Sequence, residues 1–122
     1  MREILAVVNR ARAADTKREL ARSGVAGYTQ WPVLGRGRQR GLRDAEGRGT
    51  LPFLPKVAFT VIVEDERAQE AIEAILRANQ TGQYGDGKMF VSPVAASYRI
   101  STAMQVQPAP GVAAMSRESV PS

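Results

Sequence analysis

The sequence predicts a single α+β domain, and three observations carry that prediction: a short run of β-formers at the start, two helical patterns set between strand-like segments, and one long glycine- and arginine-rich stretch without periodicity. At 122 residues, 43% of them hydrophobic, the chain can bury one core and is too short for two ordinary domains.

Residues 3–8 (Glu-Ile-Leu-Ala-Val-Val) form a short apolar run of the kind seen in buried strands. From Ala13 to Ser23, Asp15, Lys17, Arg18, Glu19 and Arg22 share one side and Ala13, Leu20 and Ala21 another, with Gly24 placed to stop the helix. Val25 to Leu34 contains Tyr28, Thr29, Trp31 and Val33, all good strand formers. Pro32 lacks an N–H, so this strand is expected at a free or bulged edge. The next segment, Gly35 to Gly49, holds five glycines and five arginines and cannot bury apolar surface, so it reads as a mobile loop. Beyond Pro52 and Pro55, Val57, Phe59, Val61 and Val63 alternate with Lys56, Ala58, Thr60 and Ile62. Both faces of that strand are largely apolar, which predicts a place in the middle of a sheet. Asp65 is expected as N-cap, Glu66 suits the helix dipole, and Ala68, Ile72, Ile75, Leu76 and Asn79 recur at helical spacing. Gly82, Gly85 and Gly87 then make a turn, Met89 to Val91 a short strand, and Tyr98 to Ile100 a last one.

The order is that of a ferredoxin-like βαββαβ domain with a long loop between its second and third strands. The domain is expected over residues 1–102, with a mobile loop at about 36–53. Residues 103–122 have no periodicity and three prolines, and are expected as a disordered tail.

Composition narrows the function. There is no Cys and no His, which removes thiolate chemistry, disulfides, the usual zinc ligands and the commonest general base. No apolar run reaches the roughly 18 residues of a membrane span, and charge enters the N-terminus too early for a signal peptide, so a cytoplasmic protein without membrane insertion is expected. The net charge is +5, and a basic patch calls for an anionic partner. Asp44 with Glu46 lies on the loop, and Glu64, Asp65 and Glu66 stand at a helix start where capping explains them. Neither set reads as a catalytic carboxylate pair, and no enzyme is expected.

Two segments carry the chemistry: Gly35-Arg36-Gly37-Arg38-Gln39-Arg40-Gly41 and Thr81-Gly82-Gln83-Tyr84-Gly85-Asp86-Gly87-Lys88. Glycines let backbone N–H groups approach phosphate oxygens while Arg and Lys neutralise charge. Neither is a Walker A loop or a dinucleotide fingerprint. Read singly, each is a weak signal, better explained as turn punctuation with solubilising arginines. Trp31 and Tyr84 could stack on a base, but an aromatic at the end of a strand is more often there for packing.

Taken in order, Gly35-x-Gly37-Arg38-Gln39-x-Gly41, Leu54-Pro55-Lys56, Thr81-Gly82-x-x-Gly85-Asp86-Gly87-Lys88-x-Phe90-Val91-x-Pro93-Val94 and Arg99-Ile100 resemble the successive motifs of the PII nitrogen-regulatory family. The resemblance implies a compact homotrimer that binds ATP or ADP between subunits. Val7, Thr29, Gly37, Arg38, Gln39, Ile62, Gly87, Lys88 and Arg99 would surround the nucleotide. 2-Oxoglutarate would meet Gln39, Gly41 and Lys56, beside Mg²⁺ that Gln39 approaches through Mg-ATP. A loop surface of Arg43, Asp44, Glu46, Arg48 and Thr50 would meet a target protein, such as an ammonium transporter, a nitrogen-assimilation enzyme, nitrogenase or another transporter.

The departures matter too. Ser101 and Ala103 stand where the family has Arg and Gly, Asn9-Arg10 where it has a basic residue and Pro, and Thr60 where it has an acidic one. Residues 42–53 contain no Tyr, so the family's tyrosine switch is not expected. The basic loop base resembles the nitrogenase-associated NifI branch. The expected function is therefore a PII-like signal-transduction regulator of nitrogen metabolism. The alternatives are a trimeric scaffold with reduced metabolite sensing and an RNA-binding ferredoxin-like module, although the aromatic RNP pattern is missing and no nucleic-acid partner is expected.

Overall fold

The computed structural model describes residues 1–25, 27–36 and 54–106. In chain order these form β1 (Arg2–Asn9), a 3-10 turn (Arg10–Arg12), α1 (Ala13–Arg22), β2 (Thr29–Gly35), β3 (Leu54–Val63), α2 (Asp65–Asn79), β4 (Gly87–Pro93), β5 (Tyr98–Arg99) and β6 (Met104–Gln105). The first four strands make one antiparallel sheet in the order β2-β3-β1-β4. This is the ferredoxin-like α+β arrangement expected from the element order. Pro32 does lie on an edge strand, and β3, apolar on both faces, is central.

Strand alternation sorts the side chains. Ile4, Ala6, Val8, Phe59 and Val61 are buried with Leu20 of α1 and Ala71, Ala74 and Ile75 of α2. Cross-strand partners share a face, so the pairs Leu5↔Phe90, Val7↔Lys88, Trp31↔Ala58 and Glu3↔Ile62 occupy the face away from the helices. There Trp31 is 40%, Ile62 46% and Phe90 57% exposed, an uncovered apolar surface.

α1 ends as its sequence predicts. Gly24, at φ +82°, reverses the chain, Val25 N–H donates to the Leu20 carbonyl at 2.9 Å, and Gly24 N–H to that of Ala21 at 3.0 Å. Buried Val25 is spent on this cap, which is why β2 starts at Thr29 rather than at residue 25. Asp65 is not the N-cap of α2. Glu64 holds that position without a side-chain bond, and Asp65 is the first helical residue, accepting from the Met1 ammonium at 2.7 Å. The buried stripe of α2 is Ala68, Ala71, Ala74, Ile75 and Ala78, and Leu76 turns outward at 45% exposure. Small residues let the helix sit close on the sheet, and Leu76 falls one position off that stripe. Asn79 closes it, donating to Thr16 Oγ1 and to the Ile75 carbonyl, each at 2.9 Å, so a buried amide bridges the two helices.

The strand expected at residues 98–100 forms over Tyr98–Arg99 but pairs with β6, apart from the four-stranded sheet. Residues 103–106, past the boundary expected at 102, are among those described, and 107–122 lie outside them. In the β5–β6 turn Ala103 adopts φ +58°. A left-handed conformation costs an L-residue roughly 1–2 kcal/mol, partly recovered by glycine's larger unfolded-state entropy. Ala103→Gly is therefore expected to stabilise the hairpin by about 1 kcal/mol. Slower hydrogen exchange at the Val106 amide, which donates to the Ser97 carbonyl at 2.8 Å, is the readout. Among the described residues no helix is long and apolar enough to cross a membrane.

Candidate functional site

β1 and β2 end where β3 and β4 begin, and at that end of the sheet a cavity of about 460 Å³ opens on the helix-free face. Its lining is Val7, Gly35, Arg36, Lys56, Phe90 and residues 83–88. Three cations, Arg36, Lys56 and Lys88, and a glycine-rich turn thus converge beside the apolar Val7 and Phe90.

The turn is tied by one carboxylate. Asp86 accepts from Thr81 N–H at 2.7 Å, from the Thr81 hydroxyl, and from Gly82 N–H at 3.0 Å, while Thr81 Oγ1 accepts from Gln83 N–H at 3.3 Å. The Thr81 hydroxyl, then the backbone N–H groups, hold the Asp86 carboxyl below the ordinary 3.8. A depressed folded-state value stabilises the closed turn above the ordinary carboxylate range, and that stability is lost as pH falls through the folded value. The Gly82 amide resonance is expected to move only below about pH 4 in an NMR titration, and Asp86→Asn to abolish that transition.

Gly87 follows at φ +125°, and a Cβ there would lie 2.1 Å from the Val7 carbonyl oxygen. β4 therefore leaves the turn pressed against β1 at a distance that excludes a side chain. Lys56 is 7% exposed. Its Nζ donates to Asn9 Oδ1 at 2.6 Å and to the Gly85 carbonyl at 2.8 Å. Burial pushes its ammonium below the ordinary 10.5, opposed by the charge of Asp86.

Of the residues expected at the site, Val7, Lys56, Gly87 and Lys88 line one cavity. Thr29 and Ile62 share its face but not its place: Thr29 pairs with Thr60, and Ile62 stands four residues along β3 from Ala58, the partner of Val7. At a rise of about 3.3 Å per residue that separation is roughly 13 Å. Arg99 sits in the β5–β6 hairpin and does not line the cavity. Gly37, Arg38, Gln39 and Gly41, and the loop positions Arg43, Asp44, Glu46, Arg48 and Thr50, lie outside the described residues.

Sequence reasoning placed Arg36 and Asp86 within the two marked segments without giving either a role, and missed Asn9 and Phe90 as site residues. Asp86 had a signal, since a carboxylate four and five residues beyond Gly82 and Thr81 can reach back to close the turn. Asn9 had none, because its partner is 47 residues away.

Three cations, glycine backbone and an apolar wall suit an anionic ligand carrying a ring, such as a nucleoside polyphosphate. The family model described as nitrogen regulatory protein P-II matches residues 1–104. The chain is 38% identical over 105 residues to the nitrogen fixation nifHD region glnB-like protein 2 of Methanococcus maripaludis, covering 77% of this chain and 87% of that protein. It is 36% identical over 113 residues to the nifHD region GlnB-like protein 2 of Methanothermobacter marburgensis, with 84% and 93% covered. To the nitrogen regulatory protein P-II of Cereibacter sphaeroides it is 38% identical over 105 residues, again with 84% and 93% covered. The nifHD-region names agree with the nitrogenase-associated branch that the loop base resembles.

Proposed function

Because this chain belongs to the nitrogen regulatory protein P-II family, we propose that it is a cytoplasmic signal-transduction regulator of nitrogen metabolism, not an enzyme, which binds ATP or ADP at the cavity between β1 and β4. The carrying observation is the convergence of Lys56, Lys88 and the Asp86-tied glycine turn beside Val7. The turn's backbone and Lys88 meet phosphate, Val7 and Phe90 meet the ring, and Lys56 meets a carboxylate of 2-oxoglutarate. Gly37, Arg38 and Gln39 complete the phosphate shell, with Gln39 and Gly41 beside Mg²⁺ and the metabolite.

The placement of Thr29 and Ile62 supports a site shared between copies. With the same face carrying half-exposed Trp31, Ile62 and Phe90, association of copies in a homotrimer buries apolar surface and brings Thr29, Ile62 and Arg99 of one copy to the nucleotide of the next. The loop positions Arg43, Asp44, Glu46, Arg48 and Thr50 then present a ligand-dependent surface to a target protein of nitrogen metabolism. Isothermal titration with ATP and ADP, with and without Mg²⁺ and 2-oxoglutarate, tests the reading. Micromolar nucleotide binding that is lost in Lys88→Ala is expected, and no binding at millimolar ligand overturns it.

A scaffold with weakened sensing is the second reading, favoured by Ala103 at φ +58° and by Ser101 in the same hairpin turn. Ser101→Arg is expected to raise ATP affinity severalfold under it, and an unchanged affinity removes it.

A further inference from the structure

Asn9, the last residue of β1, is paired in register with Lys56 of β3. Its Oδ1 accepts from Lys56 Nζ at 2.6 Å, and the Gly85 carbonyl accepts a second bond at 2.8 Å. An ammonium has three N–H donors. Lys56 lines the cavity while Asn9 does not, so among the described residues two of the three N–H groups are engaged, the third is left for the cavity side, and Asn9 acts from behind. Among the described residues, the charged or titratable groups around that ammonium are Asp86 and Tyr84 of the turn, Lys88 of β4 and Arg36 after β2. Asp86, the carboxylate among them, is committed to Thr81 and Gly82. Among the described residues, Asn9 therefore supplies the one side-chain acceptor on the ammonium.

We propose that Asn9 is a positioning residue for the anion-binding lysine: it locks Lys56 between β1 and the glycine turn, so that a single N–H is presented to a carboxylate metabolite and its direction is coupled to Gly85. This deepens the function proposed above and rests on it for the identity of the anion. The neutral amide matters. A basic residue at position 9 would repel Lys56 and add a second cation, and an acidic one would neutralise it. The amide orients the ammonium and leaves its charge to the ligand.

Two changes at position 9, one near-isosteric and one a truncation, test the assignment in the full chain, in two measurements. In the ligand-free protein, ¹⁵N-lysine NMR follows the Lys56 titration. Asn9→Ala removes an acceptor from a desolvated ammonium and is expected to lower its midpoint by about one pH unit, whereas Asn9→Asp is expected to raise it. By titration calorimetry in the presence of Mg-ATP, both variants are expected to bind 2-oxoglutarate about tenfold more weakly, the first for want of orientation and the second for want of free charge. Opposite shifts in titration with a common loss of affinity are not produced by a merely structural residue. A Lys56 midpoint unchanged in both variants, or 2-oxoglutarate bound as tightly as by the unaltered protein, overturns the proposal, as does failure of the unaltered protein to bind 2-oxoglutarate with Mg-ATP. Failure to bind ATP at all overturns the proposed function instead, and the ligand-free titration still decides whether Asn9 holds Lys56.

Discussion

Gly87→Ala is expected to cost about 3 kcal/mol or more and to abolish nucleotide binding together with the stability. Two independent penalties meet at this position. The backbone sits at φ +125°, which side-chain-bearing residues rarely adopt, and the new Cβ would approach the Val7 carbonyl oxygen to 2.1 Å. The obstacle is backbone, so no rotamer change relieves it. Relief requires β4 to draw away from β1, which opens the pairs Gly87↔Val8 and Lys88↔Val7. Those pairs place Lys88 beside Val7 at the cavity, so the site is lost with the register. A fall in thermal midpoint of more than about 10 °C, followed by circular dichroism, is the readout for stability. Calorimetry with ATP well below the new midpoint is the readout for the site. A variant as stable as the parent would mean that β1 and β4 are not in this contact.

Phe59→Ala is expected to destabilise by about 3–5 kcal/mol while leaving the site intact at temperatures where the variant is folded. Phe59 is fully buried on β3, paired with Ala6 on one side and Gln30 on the other, and faces the helices. Its ring meets Tyr28 edge to face, centroids 5.7 Å apart. It belongs to the same buried core cluster as Ile4, Leu20, Ala71 and Ile75. The alanine-lined surface of α2 has little side chain with which to fill the space left behind, so the cavity term adds to the lost transfer energy. Val7, Lys56 and Lys88 point from the opposite face of the same sheet. ATP affinity in the cold is therefore expected to stay within about twofold of the parent. A large loss of affinity would mean that the two faces are coupled through β3. Read side by side, the two variants separate the core that supports the sheet from the backbone contact that shapes the site.

Much of this was legible because local chemistry determined it. Pro32 has no N–H to donate to a ladder, so its strand was expected at a free or bulged edge, and β2 is an edge strand. The two-sided apolar pattern of residues 57–63 predicted a strand in the middle of the sheet, and β3 lies between β2 and β1. Gly24 stops α1 because the chain there needs a positive φ. Residue type alone made Lys88 and the turn glycines candidates for an anion, and only the family resemblance raised them above turn punctuation.

Other features failed to show because their causes are distant in sequence. Asp65 is turned from capping to ion pairing by Met1, 64 residues away. Leu76 reads as core by spacing, yet α2 rests on its alanines, and the sheet surface decides which stripe fits. Tyr98 and Arg99 form a strand as expected, but their partner is β6 rather than the main sheet.

By itself, then, the sequence determined the βαββαβ order, the edge and centre of the sheet, the glycine turns and the cations available to an anion. These depend on φ, on hydrogen-bond donors and on side-chain period, all set within a few residues. The tertiary structure alone decided that Val7, Lys56, Gly87 and Lys88 share a cavity while Thr29 and Ile62 stand farther along the same face. It also decided that Asp86 ties the turn and that Asn9 holds Lys56. Those relations depend on antiparallel register, which brings together residues tens of positions apart and has no local signature in the chain.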